Sequence, residues 1–161
     1  KMKKKPLQIL VIVSFLALIV SAHLLYLHYS SEDSYFCNLD NLSGCNVVNK
    51  SVYSTTDGVI NNILGTHINF PFPTALLSLL VFAFIFAGSY SLYQDKSFFK
   101  ISRKKLITYF QFLLVISLIY ALFLIYIEAY VLNVWCVFCL VLDVLILISL
   151  MAVSYLKNSF K

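Results

Sequence analysis

Charge is scarce in this chain. Only 12% of the residues are charged, against 61% hydrophobic. A soluble domain of 161 residues could not hide that much apolar surface, so a soluble globular fold is excluded. Internal repeats and low-complexity segments are absent, which excludes repeat architectures and disordered linkers. The formal charge is +5, but its distribution is not that of a nucleic-acid surface. Eleven of the twelve Lys and Arg residues fall in three places: Lys1–Lys5, Lys96–Lys105, and Lys157 with Lys161. Between Ser30 and Phe72 there is one basic residue, Lys50.

What is present is long apolar sequence. A helix needs about 20 apolar residues to cross a bilayer. Stretches at about Leu7–Tyr29, Pro73–Tyr93, Leu106–Leu132 and Trp135–Leu156 meet or approach that length. The reading is an all-α integral membrane protein, a single domain over residues 1–161 built as a four-transmembrane-helix bundle. With four crossings the three basic clusters share one side, which the positive-inside rule makes the cytoplasm. Both termini are then cytoplasmic, and the loop 30–72 and the turn near Asn133 face outward. Lys1–Lys5 followed by an apolar run and Val20-Ser21-Ala22 has the form of a cleavable signal. The run continues through Tyr29, so a retained anchor is expected.

Within the outer loop, apolar residues at 59, 60, 63 and 64 have helical spacing over Gly58–Gly65. That predicts a short half-helix lying flat over the bundle mouth, with Phe70 and Phe72 dipping into the interface. Pro71 and Pro73 precede helix two, and Pro is tolerated in a first turn. Asn133 is the expected N-cap of helix four. Asn41-Leu-Ser43 and Asn49-Lys-Ser51 match the glycosylation pattern, which is too common by chance to carry weight.

The four cysteines form two pairs, Cys37/Cys45 and Cys136/Cys139, and all lie at or beyond the outer boundary. An extracytoplasmic pair is first of all a structural disulfide, and Asn41, Ser43 and Gly44 supply the turn that lets Cys37 and Cys45 approach. The second pair points to redox chemistry. Cys136 and Cys139 share a helix face, and a helix start favours the thiolate, the attacking species in disulfide exchange. A C-x7-C plus C-x2-C arrangement is not a zinc-finger spacing, so no metal is expected. Asp143 follows Cys139 by four residues on the same face. An ionisable residue inside a membrane helix is a functional candidate, here either a proton relay or an acid hydrogen-bonded to a neighbouring helix. Glu128 is expected to reach the interface, as is His28, and His23 to be a hydrogen-bonded interior residue. Part of the aromatic surface, Phe138 included, is expected to line a flat apolar pocket between helices.

Taken in order, these residues resemble the vitamin K epoxide reductase family, most closely its bacterial members. The matching pieces are His28-Tyr29, Cys37, Gly44-Cys45-Asn46-Val47-Val48-Asn49, Ser51, Tyr53-Ser54, Pro73-Thr74-Ala75-Leu76-Leu77 and Cys136-Val-Phe-Cys139. The resemblance implies a thiol–quinone oxidoreductase that sustains disulfide formation in exported proteins, in a bacterial inner membrane. It implies Cys37 and Cys45 as a shuttle pair, Cys136 and Cys139 as the active-site pair with Cys139 nearest the quinone, and Ser51 as the family's loop serine. The cofactor would be a quinone of the ubiquinone, menaquinone or phylloquinone type. A fused thioredoxin-like domain, present in many bacterial members, does not occur in this sequence, so a separate DsbA-like or thioredoxin-like partner is expected. Asp143 stands where vertebrate members have a quinone-contacting tyrosine, and Phe70-Pro71-Phe72 replaces their asparagine-containing approach to helix two. Two other functions fit the same residues: reduction of a quinone or its epoxide in a vitamin K cycle, and a non-enzymatic scaffold stapled by disulfides.

The topology makes a direct prediction. A membrane-impermeant thiol reagent should label reduced Cys37 or Cys45 in intact cells. Labelling only after permeabilisation would reverse the orientation.

Overall fold

The computed structural model describes residues 4–30, 44–65, 72–94 and 102–159. Six α-helices run in the order α1 (Lys4–Tyr29), α2 (Cys45–Asn49), α3 (Thr56–Leu64), α4 (Thr74–Tyr93), α5 (Arg103–Tyr126) and α6 (Val137–Asn158). A 3-10 turn at Val52–Ser54 links α2 to α3, and a π-helical segment, Ile127–Leu132, prolongs α5. Among the described residues four helices are long and apolar enough to cross a membrane: Lys4–Tyr29, Thr74–Tyr93, Arg103–Leu132 and Val137–Asn158. The protein is an all-α integral membrane bundle. An isolated β-bridge pairs Thr55 with Pro73, and Trp135 also has bridge geometry.

The spanning helices are apolar on every side, as expected where lipid replaces water around the bundle. Ile12, Phe15, Ile19, Phe112, Ile119 and Met151 are exposed on the outer faces. Leu10, Phe82, Ile85, Phe110, Leu114 and Val153 fill the interior. Hydrophobicity does not bring helices together in lipid; close packing and hydrogen bonds do. The interfaces accordingly bury Ser14, Ser21, Ser89 and Ser149. Ser78 on α4 donates to the Ser21 hydroxyl on α1 at 3.0 Å.

Helix α1 packs along both α4 and α6, and α6 also packs along α5, while α4 and α5 touch much less. Gly88 explains where they do meet. A Cβ there would lie 2.5 Å from Cζ of Phe110, so the missing side chain lets the α5 ring press against α4. Toward the opposite end, where α2 and α3 lie, α4 and α5 part and leave a cavity between them.

Helices α2 and α3 cap that end. The half-helix expected at 58–65 forms as Thr56–Leu64 and stops at Gly65. Its start is pinned to the start of α4, because the Thr56 backbone N–H and hydroxyl both donate to the Phe72 carbonyl at 2.9 Å. Phe70, expected at the interface, lies outside the described residues, as do residues 31–43 with Cys37. One boundary differs from expectation. Asn133 does not cap helix four; it takes a left-handed conformation (φ 53°) that ends the π-helical segment. The chain turns for three more residues, and Cys136 is the N-cap.

Gly58 makes the cap testable. A Cβ at this position would sit 1.8 Å from the Val52 carbonyl oxygen, a backbone atom that cannot rotate away. Gly58→Ala should therefore loosen the cap by about 1–3 kcal/mol and leave the spans intact. Hydrogen exchange should accelerate across residues 45–65 and not within α1, α4, α5 or α6. Unchanged exchange in the cap would contradict this packing.

Candidate functional site: a disulfide at the rim of a buried cavity

The first turn of α6 is built around the Cys-x-x-Cys sequence. Cys136 and Cys139 form a disulfide with their Cα atoms 5.2 Å apart. Spacing by three residues at a helix start places both side chains on one face. The Cys139 N–H, one of the donors a helix start leaves without a partner, points at the Cys136 sulfur at 3.3 Å. Cys136 is completely buried, and Cys139 lines the cavity.

Glu128 holds this turn in place, and here the structure corrects the sequence reading. Glu128 does not reach the interface. It is 1% exposed and its Oε2 accepts the Cys136 N–H at 3.0 Å. Its backbone carbonyl accepts the Val134 N–H at 3.2 Å, closing the turn from the other side. The cause is the π-helical segment. Wider winding over Ile127–Leu132 shifts the register that a regular α-helix would give, and such segments recur at functional sites. A carboxylate oxygen of Glu128 and the sulfurs of Cys136 and Cys139 all lie within 4.8 Å of one another. As a metal donor set this trio would need the dithiol form; in the structure the two sulfurs are joined.

Cys45 arrives from the other direction. It opens α2, is fully buried and carries a free thiol. Cys45 and Cys136 belong to one apolar cluster with Leu24, Leu27 and Ala75. The register between the two segments is set by the backbone, since Gly44 donates to the Trp135 carbonyl at 3.1 Å. The residues immediately preceding the two cysteines are thus hydrogen-bonded to each other. Asn49 clamps the end of α2 to α1, its Nδ2 donating to the Leu24 carbonyl at 2.7 Å. His28 Nδ1, 2.8 Å from the Asn49 carbonyl, donates to it. His28 therefore has a structural partner, and His23 packs its ring edge-on against Phe138, centroids 4.8 Å apart.

The cavity between α4 and α5 has a volume of about 270 Å³, near the lower end of the range of about 300–1,000 Å³ for small-molecule pockets. Cys139, Asp143 and Ser51, three of the residues singled out from sequence, lie in its wall. Asn49, Tyr120 and Glu128 join them there. The remainder is mostly apolar, with Phe82, Leu113, Leu142 and Ile146 among the lining residues. The Tyr120 hydroxyl is buried with no hydrogen-bond partner among the described residues, whereas the Ser51 hydroxyl is spent on the Val48 carbonyl at 2.7 Å. Phe138 is not in the wall. It sits one residue before Cys139, about 100° away around the helix, and turns toward α1. Described lining residues include no Lys, Arg or His. An apolar slot with an unpartnered hydroxyl and a disulfide at its rim fits a flat, uncharged ring bearing carbonyl oxygens.

Residues 8–154 match the model of the vitamin K epoxide reductase family. No curated protein is similar enough in sequence to match the chain.

Proposed function

The chain belongs to the vitamin K epoxide reductase family, a family of membrane thiol–disulfide oxidoreductases, and from that premise we propose that it transfers electrons from a thioredoxin-like, DsbA-type protein to a quinone. One observation carries this reading: Cys45, the Cys136–Cys139 disulfide and the cavity meet at a single place. The orientation that goes with it puts both termini in the cytoplasm and the cysteines outside, in a bacterial inner membrane. The distribution of basic residues supports this placement.

The cycle starts with Cys37 and Cys45 joined: the reduced partner attacks that loop disulfide and leaves oxidised, and Cys45 becomes the free thiol it is in the structure. The freed Cys45 thiolate attacks the Cys136 sulfur, displacing Cys139, and Cys37 then attacks Cys45, which reforms the loop disulfide and leaves the Cys136/Cys139 pair reduced. Burial of Cys136 shields it from thiols in solution, and the Gly44–Trp135 bond holds Cys45 alongside. Cys136 thus receives electrons only through the loop. Cys139 then faces the cavity as the displaced thiolate. A quinone bound there supplies the two-electron sink. The chain contributes the rest: apolar walls that exclude water, a Tyr120 hydroxyl free to donate to a carbonyl oxygen, and Asp143 one turn below Cys139 as a proton relay.

Two experiments test these steps. Cys139→Ser should trap the loop-to-helix intermediate, and mass spectrometry of the unreduced protein should find a Cys45–Cys136 disulfide. Failure to find any loop-to-helix bridge in this variant or in Cys37→Ser would rule out the shuttle. Asp143→Asn keeps the shape and hydrogen-bonding capacity but cannot titrate. It should slow single-turnover quinone reduction on the order of 100-fold, with partner oxidation by the loop near wild type. A wild-type rate across pH would make Asp143 a structural residue.

A further inference from the structure

The site contains more candidate negative charges than it can hold. A carboxylate oxygen of Glu128 lies within 4.8 Å of the sulfurs of Cys136 and Cys139; Glu128 shares the cavity lining with Asp143, Tyr120 and Tyr53, and its π-helical segment touches α2, the helix that Cys45 opens. No Lys, Arg or His is among the described cavity-lining residues, and Glu128 is almost wholly shielded from solvent. In such surroundings an unpaired charge is costly, and two like charges within 4.8 Å more so. One negative charge has partial compensation from the Cys136 N–H that Glu128 accepts and from the start of α6. A second has none. The other carboxylate oxygen, Oε1, is buried with no partner among the described residues, which leaves a position for a proton.

We infer that Glu128 stores one of the two protons that accompany the two electrons held by the Cys136/Cys139 pair. In the oxidised protein the S–S bond is neutral and the single negative charge resides on Glu128. Reduction breaks that bond and adds two electrons and two protons. One proton goes to the Cys136 sulfur, the other to Glu128, and the negative charge moves to the Cys139 thiolate. Re-oxidation reverses this: the S–S bond reforms, the electron pair leaves to the acceptor, and the Cys136 and Glu128 protons leave with it. The site carries one negative charge throughout, so electrons pass through an apolar interior without a second charge being buried. This inference gives the thiol–quinone reading its proton source, but its test needs no quinone.

Glu32 and Glu128 are the two glutamates in the chain, so Glu32→Gln protein labelled with carbon-13 glutamate reports on Glu128 alone. Reduction of that protein by a dithiol buffer should produce a carboxylic-acid carbonyl band in the infrared difference spectrum, displaced by the label. Corrected for the two protons that the buffer dithiol itself gives up, the pH dependence of the same equilibrium should give two protons taken up by the pair per two electrons, and one in Glu128→Gln. That difference is tenfold in the equilibrium constant for each pH unit. Glutamine retains an acceptor for the Cys136 N–H, so a purely structural role for Glu128 predicts equal proton counts. Equal counts, or no labelled carbonyl band, would overturn the inference. So would loss of the second proton in Asp143→Asn and not in Glu128→Gln. If Glu128→Gln does not fold, the labelled band in the Glu32→Gln protein decides alone. A protein that shows the band yet reduces no quinone would refute the proposed function and leave this inference standing.

Discussion

The hydrogen bond from the Cys136 N–H to the Glu128 carboxylate is the contact on which the site depends. In a membrane, irregular backbone must be satisfied by the protein itself. The four residues between the π-helical segment and α6 are irregular, and Glu128 provides for them twice, with its side chain at Cys136 and its backbone at Val134. That single residue fixes where α6 begins. It thereby determines that Cys139 stands in the cavity wall and Cys136 behind it.

Contacts at the ends of α2 hold Cys45 in place beside the Cys136–Cys139 disulfide. Helix α2 is only five residues long, too short to hold its position by intrinsic helix stability. It is held by Asn49 and His28 against α1 and by Gly44 against Trp135. These contacts all lie at its two ends, and Cys45 stands at the first of them. Below it, the divergence of α4 and α5 from their close contact at Gly88 opens the cavity. A disulfide thus lies between the buried thiol of Cys45 and a mostly apolar cavity.

The four spans were legible because period and length dominate in lipid, and runs such as 73–93 admit no other structure. The half-helix over 56–64 was legible from four apolar positions and a closing glycine. Cys139, Asp143 and Ser51 were placed at one site by spacing and resemblance, and all three line the cavity. Glu128 was misplaced because sequence gives no sign of a π-helical segment; an α-helical register carries it to the interface. Asn133 was misassigned for a related reason, since asparagine serves equally as an N-cap and as a left-handed terminator. Phe138 shows the limit of adjacency: sitting beside a site residue on a helix means pointing about 100° away from it. Asn49, read as part of a glycosylation pattern and of the family-like run Gly44–Asn49 but given no structural role, is buried and clamps α2. A polar residue amid the apolar positions of Val47 and Val48 was the available signal.

We propose that this chain joins a thiol donor to a quinone across the Cys136–Cys139 pair. The most direct measurement follows the redox state of a reduced thioredoxin-like protein added to quinone-containing vesicles, with and without the purified chain, in the absence of oxygen. The account predicts that the protein dithiol is oxidised only when both the chain and quinone are present, with one quinone reduced per disulfide formed. Dithiol oxidation that proceeds equally without quinone, or no oxidation at all by the folded chain, would contradict it.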